Sequence, residues 1–326
     1  MPESVDGREP LELGPLGFGA ANLGNLYREI SDEQAWAALD AAWDAGIRYF
    51  DTAPHYGLGL SEKRLGAFLQ TKPRNEFVIS TKVGRLLRPN PDFDGQLDLE
   101  NSFAVPAALT RVWDASEAGI RASHEESLER LGLDAVDILF LHDPDGYDID
   151  SADATGYPAL IDLRDRGVVR GVGIGSMNTA ALTRAAKTPG LDLHMFAGRL
   201  TLAEQSVMPE ATDAAIANAA RIVAAGVYNS GILATNSPGA DARYEYGGVP
   251  AEFLAHVTAI AAICAEHGVD LPTAALQYTL RVKPVASVVF GGARPEQITE
   301  NARRMHETIP EQLWSALGEA GLIPWQ

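Results

Sequence analysis

Short apolar runs alternate along the chain with longer amphipathic stretches. Seven runs rich in β-branched and aromatic residues stand out: IRYFD (47–51), FVISTKV (77–83), VDILFLH (136–142), VRGVGIG (169–175), LHMFAG (193–198), IVAAGVYNS (222–230) and ASVVFGG (286–292). They are short and apolar on both faces, which predicts buried parallel strands. Helical signals lie between them. SDEQAWAALDAAWDAG (31–46) opens on Ser31 as N-cap with Gln34 completing a capping box, and closes on Gly46. Its Trp36, Leu39 and Trp43 share one face. In GIRASHEESLERLGL (119–133) the shared face is Ile120, His124, Leu128 and Leu131, and PEQITENARRMHE (295–307) begins with proline at a favoured first helical position.

Adding LGPLGFGAANLG (13–24) as a first strand with its loop gives eight β-then-α units. That count predicts an α/β fold, a (β/α)8 TIM barrel rather than an open doubly wound sheet. No low-complexity linker breaks the series, so one domain is expected over 1–326. Two long interruptions follow the third strand (84–118) and the seventh (231–250). In a barrel both fall at the C-terminal face, where substrate loops belong.

Composition narrows the partners. The 326 residues are 46% hydrophobic, ample for a large core. Asp and Glu number 44 against 26 Lys and Arg, a formal charge of −18. Such a field repels a phosphate backbone or an anionic bilayer, so neither nucleic acid nor membrane is an expected partner. An acidic cofactor then needs a local positive pocket. The single cysteine, Cys264, excludes a disulfide within the chain and reads as an inert core thiol. The acidic opening MPESVDGREPLELG lacks the apolar core of a signal peptide, and no run is long enough to cross a bilayer, so the expected setting is cytoplasmic. Nothing in the sequence sets the oligomeric state.

Four polar residues fall at or just past strand ends. Asp51 closes the second strand, Lys82 stands near the end of the third, His142 ends the fourth, and Tyr56 follows Asp51 on the adjoining loop. Each alone has an ordinary reading: a turn aspartate, a half-buried loop tyrosine, a solvated lysine, a satisfied core histidine. In a barrel all four converge on one rim. A phenol titrates at about 10, and a neighbouring ammonium stabilises phenolate and lowers that value, each tenfold gain in acidity costing about 1.4 kcal/mol of interaction. Asp51 supplies the counter-charge that keeps Lys82 protonated, and a neutral His142 donates a hydrogen bond to a carbonyl or hydroxyl oxygen. The set fits proton transfer on oxygen coupled to hydride movement. With no activated Ser or Cys beside the histidine it does not fit hydrolysis, and it lacks the ligand spacing of a metal site.

The stretches FDTAPHYGLGLSEKRLG (50–66), ISTKVG (79–84) and VDILFLHDPD (136–145) resemble the aldo-keto reductase family, and the likeness extends over nearly the whole chain. It implies a (β/α)8 barrel, NAD or NADP bound in extended form without a Rossmann fingerprint, and Asp51, Tyr56, Lys82 and His142 as the catalytic set with Tyr56 as acid/base. LERLGLDAVDILFLHDPD (128–145) and GVYNSGIL (226–233) are most similar to the sugar-oxidising branch. Its members oxidise the anomeric hydroxyl of a cyclic hemiacetal, of L-fucose/D-threo-aldose or pyridoxal type, to a lactone. The same four residues would also serve an NADPH-dependent aldehyde or ketone reductase. Two further alternatives are a nicotinamide-binding regulatory subunit with little turnover and a barrel aldolase with Lys82 as Schiff base.

The resemblance extends to cofactor and substrate contacts. GVGIGSMN (171–178) is similar to the segment that anchors the nicotinamide carboxamide, which implies Ser176 and Asn178; the alternative is a strand followed by an N-capped helix. Tyr228 matches an aromatic that stacks on the nicotinamide. The following loop, with Asn229, Ser230, Gly231 and Leu233, resembles a pyrophosphate contact. GGARPEQITEN (291–301) resembles the adenosine-phosphate loop, with Gly291, Gly292, Arg294, Gln297 and Asn301 as contacts; a glycine turn into a helix N-terminus suits an anion on physical grounds too. Two departures matter. Ala197 or Gly198 stands where many members bring a glutamine under the carboxamide. Gly291 and Gln297 replace the Lys and Arg of many NADP users, leaving Arg294 as the nearby cation and tipping the expectation towards NAD. His55 and Trp113, on loops facing the rim, are candidate contacts for a small-molecule sugar or aldehyde, since an aromatic plane suits a sugar ring; ordinary loop packing is the alternative.

Overall fold

In the computed structural model, which describes residues 11–245 and 247–324, the eight expected strands close on one another. The acidic opening, residues 1–10, lies outside the described residues. Among the described residues twelve strands follow in chain order: β1 (Leu16–Gly19), β2 (Tyr49–Asp51), β3 (Val78–Val83), β4 (Arg85–Pro89), β5 (Leu109–Trp113), β6 (Ile138–His142), β7 (Gly171–Ser176), β8 (Leu193–Ala197), β9 (Arg221–Ala225), β10 (Arg243–Tyr244), β11 (Gly247–Gly248) and β12 (Val285–Gly291). Eight of them form a closed barrel in the order β1-β12-β9-β8-β7-β6-β3-β2. Every pairing is parallel, with helices on the crossovers. This is the (β/α)8 architecture.

The doubly apolar strands have a direct cause. Along β6, Ile138 and Phe140 point into the barrel with Tyr49, Val78, Met195 and Val289. Leu139 and Leu141 point outward, against helix residues such as Leu131 and Leu160. The strand period of two carries the inward face on to the polar ends. It runs Tyr49 to Asp51 in β2, Val78 through Ser80 to Lys82 in β3, and Phe140 to His142 in β6.

Helix Asp32–Asp44 carries the expected capping box: Ser31 Oγ accepts from Gln34 N at 3.2 Å, and Gln34 Oε1 accepts from Ser31 N at 2.9 Å. Helix Glu117–Leu131 starts two residues before the expected boundary because Ser116 caps it. The run 222–230 is strand only to Ala225; Gly226, at φ 62°, turns the chain into a loop that holds Tyr228 to Ser230. Both long interruptions contain hairpins, β4–β5 in the first and β10–β11 in the second. Among the described residues no single helix is long and apolar enough to cross a bilayer.

Candidate active site

A cavity of about 610 Å³ opens at the C-terminal ends of the barrel strands. Gly19, Asp51, Lys82, His142, Ser176, Ala197, Ala225 and Gly291, one from each barrel strand, line it. Tyr56 joins them from the loop after β2. That loop lies directly on the loop after β1. A Cβ on Gly57, which stands at φ 60°, would fall 2.2 Å from the Gly24 carbonyl oxygen, so only glycine allows the approach that sets Tyr56 over the rim.

The four expected catalytic side chains therefore meet. Lys82 Nζ donates to Asp51 Oδ2 at 2.6 Å and to the Thr52 carbonyl at 2.9 Å. Asp51 Oδ1 accepts from Ser80 Oγ at 2.7 Å, and Ser80 in turn contacts the Tyr49 hydroxyl at 3.0 Å. Lys82 Nζ lies 4.8 Å from the centre of the Tyr56 ring. The His142 ring stands edge-on to Tyr56, with centres 6.0 Å apart.

Electrostatics assign the protonation states. Burial works against the Lys82 charge, but the Asp51 carboxylate beside it outweighs burial and holds the lysine above its ordinary value. Lys82 is thus an ammonium, a poor nucleophile, and the Schiff-base alternative loses its physical ground. Burial raises the Tyr56 phenol, and the nearby Lys82 ammonium only partly opposes it. This corrects the expectation of a lowered phenol: desolvation wins, and the resting group is protonated. Burial, then the positive charges of Arg85 and Lys82, push His142 well down, so it is neutral as expected. Its Nδ1 is buried without a partner among the described residues, and its Nε2 lies 3.5 Å from Asp143 Oδ2.

The first long loop adds groups that strand counting missed. Arg85, which opens β4, pairs with Asp143 just past the end of β6, and both line the cavity. Arg111 on β5 forms a two-pronged pair with Asp98 and donates from Nε to His55 Nδ1 at 2.5 Å. That bond leaves Nε2 to carry the proton of neutral His55, which lines the cavity beside His142. Burial and the charges of Arg85 and Arg111 lower the His55 pKa. Trp113 does not line the cavity. Its ring stacks on Tyr147 with centres 4.6 Å apart, and the Arg85 guanidinium lies 4.2 Å over it. It braces Arg85 instead of offering a plane to a ligand. Neither RLLRP nor LTRVW alternates apolar and polar positions, so hydrophobic pattern gave no signal for this hairpin or for the residues it carries to the cavity.

The candidate cofactor residues divide. Ser176, Asn229, Ser230 and Gly291 line the cavity. Ser176 Oγ donates to Asp145 Oδ1 at 2.7 Å, and Asn229 Oδ1 accepts from Thr201 at 2.6 Å. Asn178 lies off the cavity wall and caps helix Thr179–Ala186, accepting from Ala181 N at 3.0 Å. Tyr228 is not on the cavity wall either. Its ring packs on the core and its hydroxyl donates to Asn301 Oδ1 at 2.7 Å, because Gly226 has already turned the chain away from the strand axis. Leu233 is wholly buried in the core and Gly231, at φ 101°, shapes the turn before it. Gly292, Arg294, Gln297 and Asn301 follow Gly291 around the start of helix Pro295–Met305. Gln297 Oε1 accepts from Ala293 N at 3.4 Å, and Arg294 is exposed. The cavity wall runs from Tyr56 to Gly291 and does not include Gly292, Arg294, Gln297 or Asn301, although Gly291 leads by chain to the N-terminus of helix Pro295–Met305. A helix N-terminus just beyond the rim suits an anionic group on a ligand that extends out of the cavity.

Comparison with known proteins agrees with this geometry. The aldo/keto reductase family profile matches residues 15–321. The chain is 58% identical over 315 residues to a D-threo-aldose 1-dehydrogenase of a Pseudomonas species, covering 96% of each chain. It is 37% identical over 332 residues to a pyridoxal 4-dehydrogenase of Microbacterium luteolum, covering 97% of this chain and 96% of the relative. Among solved structures it is similar in fold to a glycerol dehydrogenase of Gluconobacter oxydans, at 21% identity with a TM-score of 0.72 over 96% of this chain and 94% of that one. An aldo-keto reductase of Bacillus halodurans in its holo form gives a TM-score of 0.69 at 23% identity, over 95% and 92%. Enzymes of this family use nicotinamide cofactors, and the residues along the cavity are compatible with one. By its profile, its barrel and the group of residues at its strand ends, this chain belongs to the aldo/keto reductase family and is an oxidoreductase acting on CH–OH groups.

Proposed function

We propose that the chain oxidises the anomeric hydroxyl of a sugar, or of a sugar-like cyclic hemiacetal, to a lactone, with Tyr56 as the proton acceptor. The observation that carries this reading is the buried relay Ser80–Asp51–Lys82 beside the Tyr56 phenol, with His142 edge-on to the same ring. The 58% identity to a D-threo-aldose 1-dehydrogenase supports a sugar as substrate. The 37% identity to a pyridoxal 4-dehydrogenase supports the wider class of cyclic hemiacetals.

A bound nicotinamide supplies the hydride acceptor, and the chain's own residues handle the proton. Tyr56, as phenolate beside the Lys82 ammonium, takes the substrate hydroxyl proton while the carbon gives up its hydrogen with both bonding electrons. Asp51 keeps Lys82 charged through that change. Neutral His142 donates a hydrogen bond to the substrate oxygen and turns it towards Tyr56. We favour NAD over NADP, because Arg294 is the one cation in the 291–301 stretch, which also carries Glu296 and Glu300.

One observation favours reduction as a second reading: the resting Tyr56 is protonated, the form that delivers a proton to a carbonyl oxygen. Initial rates of sugar oxidation and aldehyde reduction separate the two. The direct test is a panel of aldoses and pyridoxal with each cofactor, followed by nicotinamide absorbance. Oxidation of an aldose, faster with NAD, is expected; no oxidation of any cyclic hemiacetal with either cofactor sinks the proposal.

A further inference from the structure

Beside His142 stands a carboxylate that the proton relay does not use. Asp143 follows β6 directly and lines the cavity. Its backbone is left-handed, φ 39° and ψ 58°, a conformation that costs energy for any residue with a side chain. The chain is held there by the Asp143 amide, which donates to the Gly175 carbonyl at 2.9 Å. The result is a carboxylate turned back over the rim. Arg85, itself buried and stacked on Trp113, occupies Oδ2. No donor among the described residues takes Oδ1.

The placement relative to His142 is informative. Because Nδ1 of that ring is buried, Nε2 is the nitrogen that reaches the cavity, and Asp143 Oδ2 lies 3.5 Å from it. An oxygen bound to Nε2 therefore lies in the same part of the cavity as the Asp143 carboxylate, which brings groups on the neighbouring carbon within its reach. The anomeric carbon has two ring neighbours: the ring oxygen, which has no proton to give, and the C2 carbon, whose hydroxyl has one. A carboxylate only accepts. From this we infer that Asp143, held by Arg85, is a specificity-determining residue that reads the hydroxyl on the carbon next to the reacting one. Burial raises this carboxyl above its ordinary value and the Arg85 charge opposes that rise only in part, so the pair with Arg85, rather than burial, is what supports the accepting form. The inference rests on the proposed sugar oxidation and deepens it.

The test is a comparison of kcat/KM for an aldose and its 2-deoxy analogue, in the wild-type protein and in Asp143→Ala. A lost hydrogen bond to a charged group corresponds to a penalty of about tenfold to a hundredfold, so the wild type should disfavour the 2-deoxy sugar by that much. In Asp143→Ala the penalty should shrink to about twofold or less. The ratio within each protein cancels any general loss from leaving Arg85 unpaired, and comparing the ratios of the two proteins cancels the intrinsic reactivity of the 2-deoxy sugar. Should circular dichroism show that the alanine variant does not fold, Asp143→Asn decides instead. Its amide oxygen is a weaker acceptor, and the penalty should fall severalfold. A penalty unchanged in the variant, or absent from the wild type, overturns the inference while leaving sugar oxidation in place. Turnover of neither sugar by the wild type overturns both.

Discussion

Lys82 and Asp51 form an ion pair of 2.6 Å in which the side chains are only 2% and 3% exposed. Two charges so far from water are tolerable only together. Each alone, left by Asp51→Asn or Lys82→Met, should cost about 3–5 kcal/mol of stability. The double variant should cost clearly less than the sum, because no bare charge remains. Urea unfolding of all four proteins measures the coupling, and strict additivity would remove the pair from any shared role. Either single change should also lower kcat by at least about a hundredfold, since an unstabilised phenolate is a rarer base.

Tyr56→Phe keeps the ring over Lys82 and removes the one atom that moves the proton. Turnover should fall by roughly a hundredfold to ten-thousandfold, the usual range for a general acid or base. Cofactor affinity, read by quenching of intrinsic fluorescence, should change little. Full activity in this variant would transfer the acid/base role to another group.

Much of this was legible in the sequence, for a physical reason. Strands buried on both faces must be apolar throughout, so VDILFLH and FVISTKV declare themselves, and a polar residue at their ends stands out against that background. Asp51, Lys82 and His142 were found that way. Tyr56 needed the Gly24–Gly57 contact to bring it over, which sequence spacing does not report. Misplacements cluster where the chain leaves a strand. Trp113 lies inside a hairpin whose pairing turns it onto Arg85, Asn178 is claimed by the helix it caps, and Gly226 turns Tyr228 towards Asn301. A single reversal of backbone direction decides such positions, and hydrophobic pattern does not encode it.

The raised Tyr56 pKa gives the two directions of reaction opposite pH dependences. Oxidation needs phenolate, whose fraction grows with pH until the elevated pKa is reached; reduction needs phenol, which is abundant until that same point. Oxidative kcat/KM should therefore climb steadily over about pH 7 to 10, while reductive kcat/KM stays level and then falls. Profiles measured in both directions check this. A flat oxidative profile across that range would contradict a protonated resting phenol.

His194 offers a test of the fold apart from the chemistry. The side chain is fully buried on β8, neither ring nitrogen has a hydrogen-bond partner among the described residues, and burial lowers its pKa to about 4. Folded, it stays neutral until about that pH; unfolded, it takes up a proton below about 6.5. Between those values the unfolded chain holds the extra proton, so this residue drains stability as pH falls through that window and has no such effect above it. His194→Leu fills the site with an apolar side chain and removes the drain. The gain in unfolding free energy should be about 2 kcal/mol larger at pH 5 than at pH 8. The other lowered histidines, His55, His124, His142 and His256, tilt both proteins alike and cancel in the comparison. Urea titrations of wild type and variant at the two pH values measure the difference, and an equal gain at both would mean that His194 is already partnered or already charged in the folded state.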